Sequence, residues 1–133
     1  MSARIVVADD DPDIRRLIVF TLKRRGYAVR EATDGDAALA LVSEDVPDLV
    51  VLDVMMPGRT GLEVAAALRG APETAAIPIV MLSAKGQETE VQAGLRSGAQ
   101  SYLVKPFSPQ ALAAEVAALL AAAGAEDGPA HGK

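Results

Sequence analysis

The sequence contains no cysteine and no tryptophan, and two tyrosines and two phenylalanines are its only aromatic residues. The lack of cysteine excludes disulfide bonds, thiolate metal sites and cysteine nucleophiles. With so few aromatic rings, the core must be built mainly from aliphatic side chains.

Long apolar runs are also absent, because the longest stretch, from Ala111 to Ala123, is interrupted by Glu115 and is too short to cross a bilayer. The N-terminal segment meets an acidic cluster before a secretory hydrophobic region could form. We therefore expect a cytoplasmic protein with no membrane association.

Positive charge is scarce, since the formal net charge is -5. Nucleic acid attracts basic surfaces, so direct binding of this chain to nucleic acid is not expected. Half of the 133 residues are apolar and 23% are charged, which is the balance of a soluble globular protein. This length accommodates one domain of ordinary size with a full core.

Short apolar runs of strand length alternate with segments that have helical periodicity. The runs LVVL and IVML are apolar at every position, which is typical of parallel strands covered on both faces. We predict an α/β fold with a doubly wound, five-stranded parallel sheet flanked by five helices. The predicted strands are Arg4 to Ala8, Tyr27 to Glu31, Asp48 to Asp53, Ile77 to Leu82 and Ser101 to Val104. The predicted helices begin near Pro12, Asp34, Thr60, Gly86 and Pro109. In the first helix, helical spacing places Ile14, Leu17, Ile18, Thr21 and Leu22 on the face toward the core. The basic residues of this helix, Arg15 among them, are expected on its remaining, solvent-facing sides.

The composition changes after residue 123, where the sequence reads GAEDGPAHGK. We predict a domain over residues 1–123, followed at 124–133 by a flexible tail or the start of a linker. The single histidine, His131, lies in this tail and is expected to be exposed to solvent.

Polar residues follow the predicted strands at the edge where open α/β sheets carry their functional groups. Asp9 and Asp10 follow the first strand, Asp53 ends the third, Ser83 follows the fourth and Lys105 follows the fifth. Three carboxylates at one edge would repel one another by several kcal/mol at an effective dielectric constant of about 20 unless a cation lies between them. Oxygen ligands favour a hard divalent ion, and Mg²⁺ is the usual choice. With Lys105, such an ion creates a positive pocket that can accept a phosphoryl group onto Asp53.

Two further acids of the opening cluster, ADDDPD, have a local explanation. Asp11 precedes Pro12, the arrangement expected of a helix N-cap and first helical residue. Asp13 lies in the first turn, where the helix dipole stabilises negative charge. Only Asp9 and Asp10 are therefore assigned to the metal site.

Four motifs in this alternating chain resemble the receiver domains of two-component response regulators. They are DD after the first strand, VVLDVMMPGRTG around the third, MLSAK at the fourth and YLVKPF at the fifth. The resemblance covers about residues 4–122 and implies the flavodoxin-like strand order 2-1-3-4-5. Each motif alone is a weak signal, but their order and spacing are specific.

For the phosphorylation site, the resemblance implies that Asp53 is the phosphoacceptor. It implies that Asp10 binds Mg²⁺ directly, that Asp9 assists, often through water, and that the main-chain carbonyl of Met55 is a further ligand. Lys105 would contact the phosphoryl group and precede a cis peptide bond.

For the conformational switch, the resemblance implies that Ser83 is the hydroxyl that moves to the phosphoryl oxygen and that Tyr102 is the aromatic residue that follows it. Ala84 fits the small neighbour that leaves room for phosphate. The Met55 side chain would border the path of attacking water, and we expect its apolar character to disfavour rapid self-dephosphorylation.

The implied function is acceptance of a phosphoryl group from a sensor histidine kinase or a histidine phosphotransfer protein. Such a domain assists its own modification but is not a turnover enzyme. Its output is a changed binding surface for a downstream effector, built from the predicted helix 86–97, the last strand and the last helix. A phosphorylation-dependent dimer stays open, because Ala99-Gln100-Ser101 lacks the acidic pair of the winged-helix transcription-factor subfamily and the last helix has Glu115 but no basic residue.

Two alternatives stay open at this stage. One is the receiver half of a longer transcription factor. The other is an aspartate-nucleophile phosphatase of the haloacid dehalogenase type. That type carries a DxD motif after its first strand, whereas Asp53-Val54-Met55 lacks the second acid and Asp9-Asp10-Asp11 lacks the residues that should follow.

Overall fold

The computed structural model describes residues 2–84 and 98–124. Five parallel strands form one sheet in the order β2-β1-β3-β4-β5, as predicted. The strands are β1 (Arg4–Ala8), β2 (Ala28–Ala32), β3 (Leu49–Asp53), β4 (Ile79–Ala84) and β5 (Ser101–Lys105). The helices in the described ranges are α1 (Pro12–Arg24), α2 (Gly35–Glu44), α3 (Gly61–Arg69) and α4 (Pro109–Ala123).

The sheet separates two hydrophobic cores, because successive side chains of a strand point to opposite faces. On one face Val50, Leu52 and Met81 pack against helices α2 and α3. On the other face Val51 and Leu82 pack against helices α1 and α4. The central strands are thus buried on both sides, which explains their uninterrupted apolar runs.

Each described helix begins with a side-chain cap of the kind that satisfies exposed backbone N–H groups. Asp11 accepts hydrogen bonds from the backbone N–H groups of Asp13 and Ile14, at 2.9 and 3.3 Å. Asp34 and Ser108 cap α2 and α4 in the same way, and Thr60 forms a capping box with Glu63. The sequence assignment of Asp11 and Asp13 to the start of α1 is confirmed.

The structure corrects two details of the sequence prediction. Strand β4 begins at Ile79 rather than Ile77, because Pro78 has no N–H to donate to the ladder, although its carbonyl accepts from Val50. Leu17 was expected in the buried face of α1 but is 38% exposed, and Val19 is buried instead. The predicted helix at 86–97 and the predicted tail lie outside the described residues, apart from Gly124, which caps α4 in a left-handed conformation.

Within the described ranges, no helix is both long and apolar enough to cross a membrane.

Candidate functional site

The candidate site lies at the carboxyl edge of the sheet, where four strands place polar residues side by side. Asp9 directly follows β1, Asp53 is the last residue of β3, and Lys105 is the last residue of β5. Ser83 is the penultimate residue of β4 and lies opposite Val104 in the β4–β5 register. In-register parallel strands therefore bring together residues far apart in the sequence.

Three carboxylates and one ammonium group form the centre of the site. Oxygen atoms of Asp9, Asp10 and Asp53 all lie within 4.8 Å of one another. The Nζ atom of Lys105 lies 3.1 Å from Asp9 Oδ2 and 3.3 Å from Asp53 Oδ2. Asp9 and Asp53 are buried, at 0% and 4% exposure, whereas Asp10 is exposed. The predicted convergence of the three acids with Lys105 is thus observed.

Backbone N–H groups orient the other oxygen of each buried carboxylate. Asp11 donates its N–H to Asp9 Oδ1 at 2.9 Å. Met55 donates its N–H to Asp53 Oδ1 at 3.4 Å, a longer and weaker contact. The Oδ2 atoms of Asp9 and Asp53 are consequently both directed toward the lysine.

The pKa values of Asp53 and Lys105 are both raised in this site, which carries more negative than positive charge. Burial and the charge of Asp9 raise the pKa of Asp53 from 3.8 to about 7, against the opposing effect of Lys105. Burial lowers the pKa of Lys105, but the charges of Asp53 and Asp9 outweigh it and raise that pKa overall. The single ammonium group of Lys105 can neutralise only one of the two buried carboxylates. Asp53 therefore holds a proton more tightly than an aspartate exposed to water does.

This donor set fits a divalent cation. Three carboxylates and one ammonium carry a formal charge of -2, which one divalent ion balances. Asp9 Oδ2 is buried and has an ion pair with Lys105, but no directional hydrogen bond. Oxygen-only ligands with one exposed member suit a hard ion that keeps part of its water shell. The pocket can therefore bind a metal ion.

The other predicted site residues surround this centre. The Oγ atom of Ser83 is buried and has no hydrogen-bond partner in the described part of the chain, which is unusual for a hydroxyl. Ala84 ends β4 opposite Lys105 in the register. Tyr102 and Met55 are 40% and 49% exposed, so both side chains are free to contact incoming molecules. The peptide bond between Lys105 and Pro106 is cis, as expected.

One residue near the site was missed by the sequence reasoning. Arg15 was assigned to a solvent-facing side of α1, yet its side chain is only 15% exposed. Its guanidinium donates to the main-chain carbonyl of Asp9 at 2.9 Å and to Glu31 at 2.9 Å. The available signal was the position of Glu31 near the carboxyl end of the strand beside β1.

The sheet order defines a flavodoxin-like fold, and the acidic cluster lies at the carboxyl edge of its sheet. The family model described as the response regulator receiver domain matches residues 5–117. The chain belongs to this family, and it is a signalling domain of two-component systems.

Relatives and solved structures agree with this assignment. The chain is 46% identical over 119 residues to the transcriptional regulatory protein ResD of Bacillus subtilis, with 90% of this chain and 48% of ResD covered. It is 41% identical over 120 residues to the phosphate regulon transcriptional regulatory protein PhoB of Klebsiella pneumoniae, with 90% of this chain and 52% of PhoB covered. The chain thus spans about half the length of these relatives.

Among solved structures, a response regulator from Chloroflexus aurantiacus described as putative superposes with a TM-score of 0.87 at 36% identity, covering 91% of this chain and 99% of that one. The chemotaxis response regulator CheY4 of Vibrio cholerae gives 0.84 at 34% identity, covering 90% and 99%. Asp53 is the last residue of the third strand, whereas the phosphatase type carries its nucleophile after the first.

Proposed function

We propose that this domain accepts a phosphoryl group on Asp53 from a phosphohistidine, in a reaction that depends on Mg²⁺. The donor is a sensor histidine kinase or a histidine phosphotransfer protein, and the reaction takes place in the cytoplasm. The domain supplies the acceptor and the charges around it but does not turn over a substrate in the manner of an enzyme.

The observation that carries this proposal is the contact of Lys105 with two buried carboxylates. Its Nζ atom, at 3.1 Å from Asp9 and 3.3 Å from Asp53, marks the place where negative charge is neutralised. A phosphoryl group entering this pocket brings more negative charge, which Lys105 is positioned to stabilise. The Ser83 Oγ, which has no hydrogen-bond partner among residues 2–84 and 98–124, is a further donor available to it.

In the transfer step, an Oδ atom of Asp53 attacks the phosphorus atom. The new bond is P–O, and the bond that breaks is P–N of the phosphohistidine. The electron pair of the broken bond stays on the imidazole nitrogen of the donor. That nitrogen takes up a proton from water, so the donor histidine leaves as neutral imidazole. Asp53 must be ionised to attack, so the factors that lower its pKa also favour the reaction.

Asp9, Asp10, Asp53 and the main-chain carbonyl of Met55 would hold the metal ion. When bound, Mg²⁺ supplies positive charge that offsets the repulsion among the carboxylates and the developing charge on the phosphoryl oxygens. The acids keep it at the same edge of the sheet as Lys105.

We infer that the output depends on Ser83 and Tyr102. A phosphoryl oxygen near Ser83 would give its buried Oγ a partner, which none of the described residues supplies, and this favours the conformation that brings the two together. Because Tyr102 is 40% exposed on the neighbouring strand β5, its rotamer can change the surface offered to an effector. Ala84, at the end of β4, leaves space for the phosphoryl group.

A second candidate places this domain within a longer transcriptional regulator. The half-length match to PhoB and ResD favours it. In that case the effector is an output domain of the same polypeptide, and the predicted segment 124–133 begins the linker. An immunoblot of the native protein distinguishes the two, because a single receiver runs near 13.7 kDa and a regulator of the relatives' length runs about twice as large.

The proposed function is tested by incubating the protein with acetyl phosphate and Mg²⁺ and measuring the intact mass. We expect wild type to gain one phosphoryl group, and we expect no gain for Asp53→Asn or when EDTA replaces Mg²⁺. A matched control is Glu73→Gln, which removes an exposed carboxylate outside the site and should be modified like wild type. An adduct that persists in Asp53→Asn contradicts the assignment of the acceptor. Continuous hydrolysis of p-nitrophenyl phosphate would favour the phosphatase.

A further inference from the structure

Arg15 forms a bridge between the acidic pocket and the neighbouring strand β2. Its NH1 group donates to the main-chain oxygen of Asp9 at 2.9 Å, and its Nε donates to Glu31 Oε1 at 2.9 Å. The Arg15 side chain is 15% exposed, whereas that of Glu31 is 48% exposed. The inner contact, to the carbonyl, is therefore the better shielded of the two.

The position of Arg15 in α1 makes this bridge notable. It lies near the N-terminus of the helix, where the helix dipole disfavours a cation. The first turn is otherwise acidic, with Asp11 as cap and Asp13 following. A positive charge at this place opposes helix stability, so the bridge is its compensating interaction.

The carbonyl that Arg15 binds belongs to the peptide unit joining Asp9 to Asp10. The orientation of this peptide sets the directions in which both side chains leave the backbone. The preceding peptide unit, which joins Ala8 to Asp9, is held by a longer bond, because the N–H of Asp9 donates to the main-chain oxygen of Ala32 at 3.3 Å at the end of the β1–β2 ladder. Arg15 therefore supplies the shorter of these two contacts at the point where the strand ends.

We propose that Arg15 is a positioning residue for metal binding: by holding the carbonyl of Asp9 against β2, it fixes the two adjacent carboxylates that bind the cation. The planar guanidinium suits this task, since it binds two acceptors at once in a fixed geometry. Groups that orient metal ligands without touching the metal commonly change affinity by 10- to 100-fold when they are lost, and we expect about tenfold here. This inference rests on the proposed function.

A simple electrostatic effect would have the opposite sign. Arg15 is a cation near the pocket, so its charge alone repels a metal ion, and removing that charge would tighten binding. Arg15→Lys separates the two effects, because lysine keeps the charge but lacks the planar fork. Positioning predicts weaker binding in this variant, whereas the field effect predicts no change.

Arg30 offers a matched control on the same strand as Glu31. It also donates to main-chain carbonyls, those of Leu41 and Asp45, but these lie at the end of α2 away from the pocket. Arg30→Lys thus removes a similar bridge and should lower stability without changing metal affinity. Glu31→Gln removes one negative charge yet keeps an acceptor oxygen for Arg15. It therefore measures how much the charge of Glu31 alone contributes to metal affinity.

The experiment compares wild type with the variants Arg15→Lys, Arg30→Lys and Glu31→Gln. Each protein is titrated with Mn²⁺, with the free ion followed by electron paramagnetic resonance, and with Mg²⁺ by calorimetry. Thermal unfolding without metal shows whether each variant is folded. We expect Arg15→Lys to bind both ions about tenfold more weakly, with Arg30→Lys and Glu31→Gln within about twofold of wild type.

Unchanged affinity in Arg15→Lys overturns the inference. So does an equal loss in Arg15→Lys and Arg30→Lys, which would indicate general loosening of the fold. Failure of the proposed function has a different signature, because wild type would then bind neither ion and form no Asp53-dependent adduct. If wild type binds metal and is modified, only the role of Arg15 is in question.

Discussion

Asp53→Asn is expected to stabilise the metal-free protein, although it removes the residue on which the function depends. The substitution replaces a buried carboxylate by a neutral group of the same shape. Wild type must place two buried acids, Asp9 and Asp53, beside the single ammonium group of Lys105. The variant removes one of these charges and leaves the Asp9–Lys105 pair intact.

The magnitude follows from the pKa of Asp53, which rises from 3.8 to about 7 in the folded state. Above about pH 4 the unfolded chain releases a proton that the folded protein retains, so the stability of wild type falls as the pH rises toward 7. Above pH 7 the full cost of ionising Asp53 in the folded state is present. At 1.36 kcal/mol per pKa unit, this cost is about 4 kcal/mol, and it falls to about 2 kcal/mol where the site relaxes around the charge. Below about pH 4 both states are protonated and the penalty vanishes.

The assay is urea unfolding of wild type and Asp53→Asn in EDTA at several pH values. We expect the stability advantage of Asp53→Asn to grow by about 2 kcal/mol between about pH 5 and about pH 8.5. Added Mg²⁺ should reduce the advantage, because it binds the folded wild type more tightly than the variant. Glu73→Gln, at an exposed position, should give the same pH profile as wild type. An advantage that is independent of pH, or an Asp53→Asn variant less stable than wild type at high pH, would refute the reasoning.

Three further predictions concern the surroundings of Asp53. Ser83→Ala should leave the metal-free protein as stable as wild type or more stable by about 1 kcal/mol, because no residue in the described ranges bonds to the buried hydroxyl, and urea unfolding measures this. Met55→Asn should lose the phosphoryl group faster than wild type, since a polar side chain at this half-exposed position can orient water; an unchanged rate of dephosphorylation by intact mass contradicts this. Gly61→Ala should lower the free energy of unfolding by about 1 to 3 kcal/mol in the same urea assay, because its Cβ would overlap the main-chain carbonyl of Asp53. The matched Gly70→Ala, whose Cβ would have no contact closer than 3.5 Å, should be tolerated.

The sequence allowed the sheet and the centre of the site to be predicted because both depend on strong local signals. Uninterrupted apolar runs indicate strands that are covered on both faces, and parallel strands align their carboxyl ends. The positions of Asp9, Asp53 and Lys105 after such runs therefore predicted their convergence. Caps such as Asp11 were readable for a similar reason, since the residue types that satisfy free N–H groups at a helix start are few.

Other features depend on tertiary contacts that no local pattern encodes. Leu17 has the helical spacing of a core residue, but it is 38% exposed and Val19 is buried instead. Arg15 has the spacing of a solvent-facing cation, yet β2 brings Glu31 and the Asp9 carbonyl within its reach. The raised pKa of Asp53 also follows only from the burial of both acids beside one lysine. In each case the side chain's environment is set by a neighbour distant in sequence.

The central claim, that Asp53 is the phosphoacceptor, is tested most directly by locating the modification. After treatment with acetyl phosphate and Mg²⁺, reduction with borohydride converts a phosphorylated aspartate to homoserine, which tandem mass spectrometry places in the sequence. We predict homoserine at position 53 alone, formed with Mg²⁺ and absent with EDTA. Homoserine at position 9 or 10, or none at any position in a folded protein that binds Mg²⁺, would contradict the account.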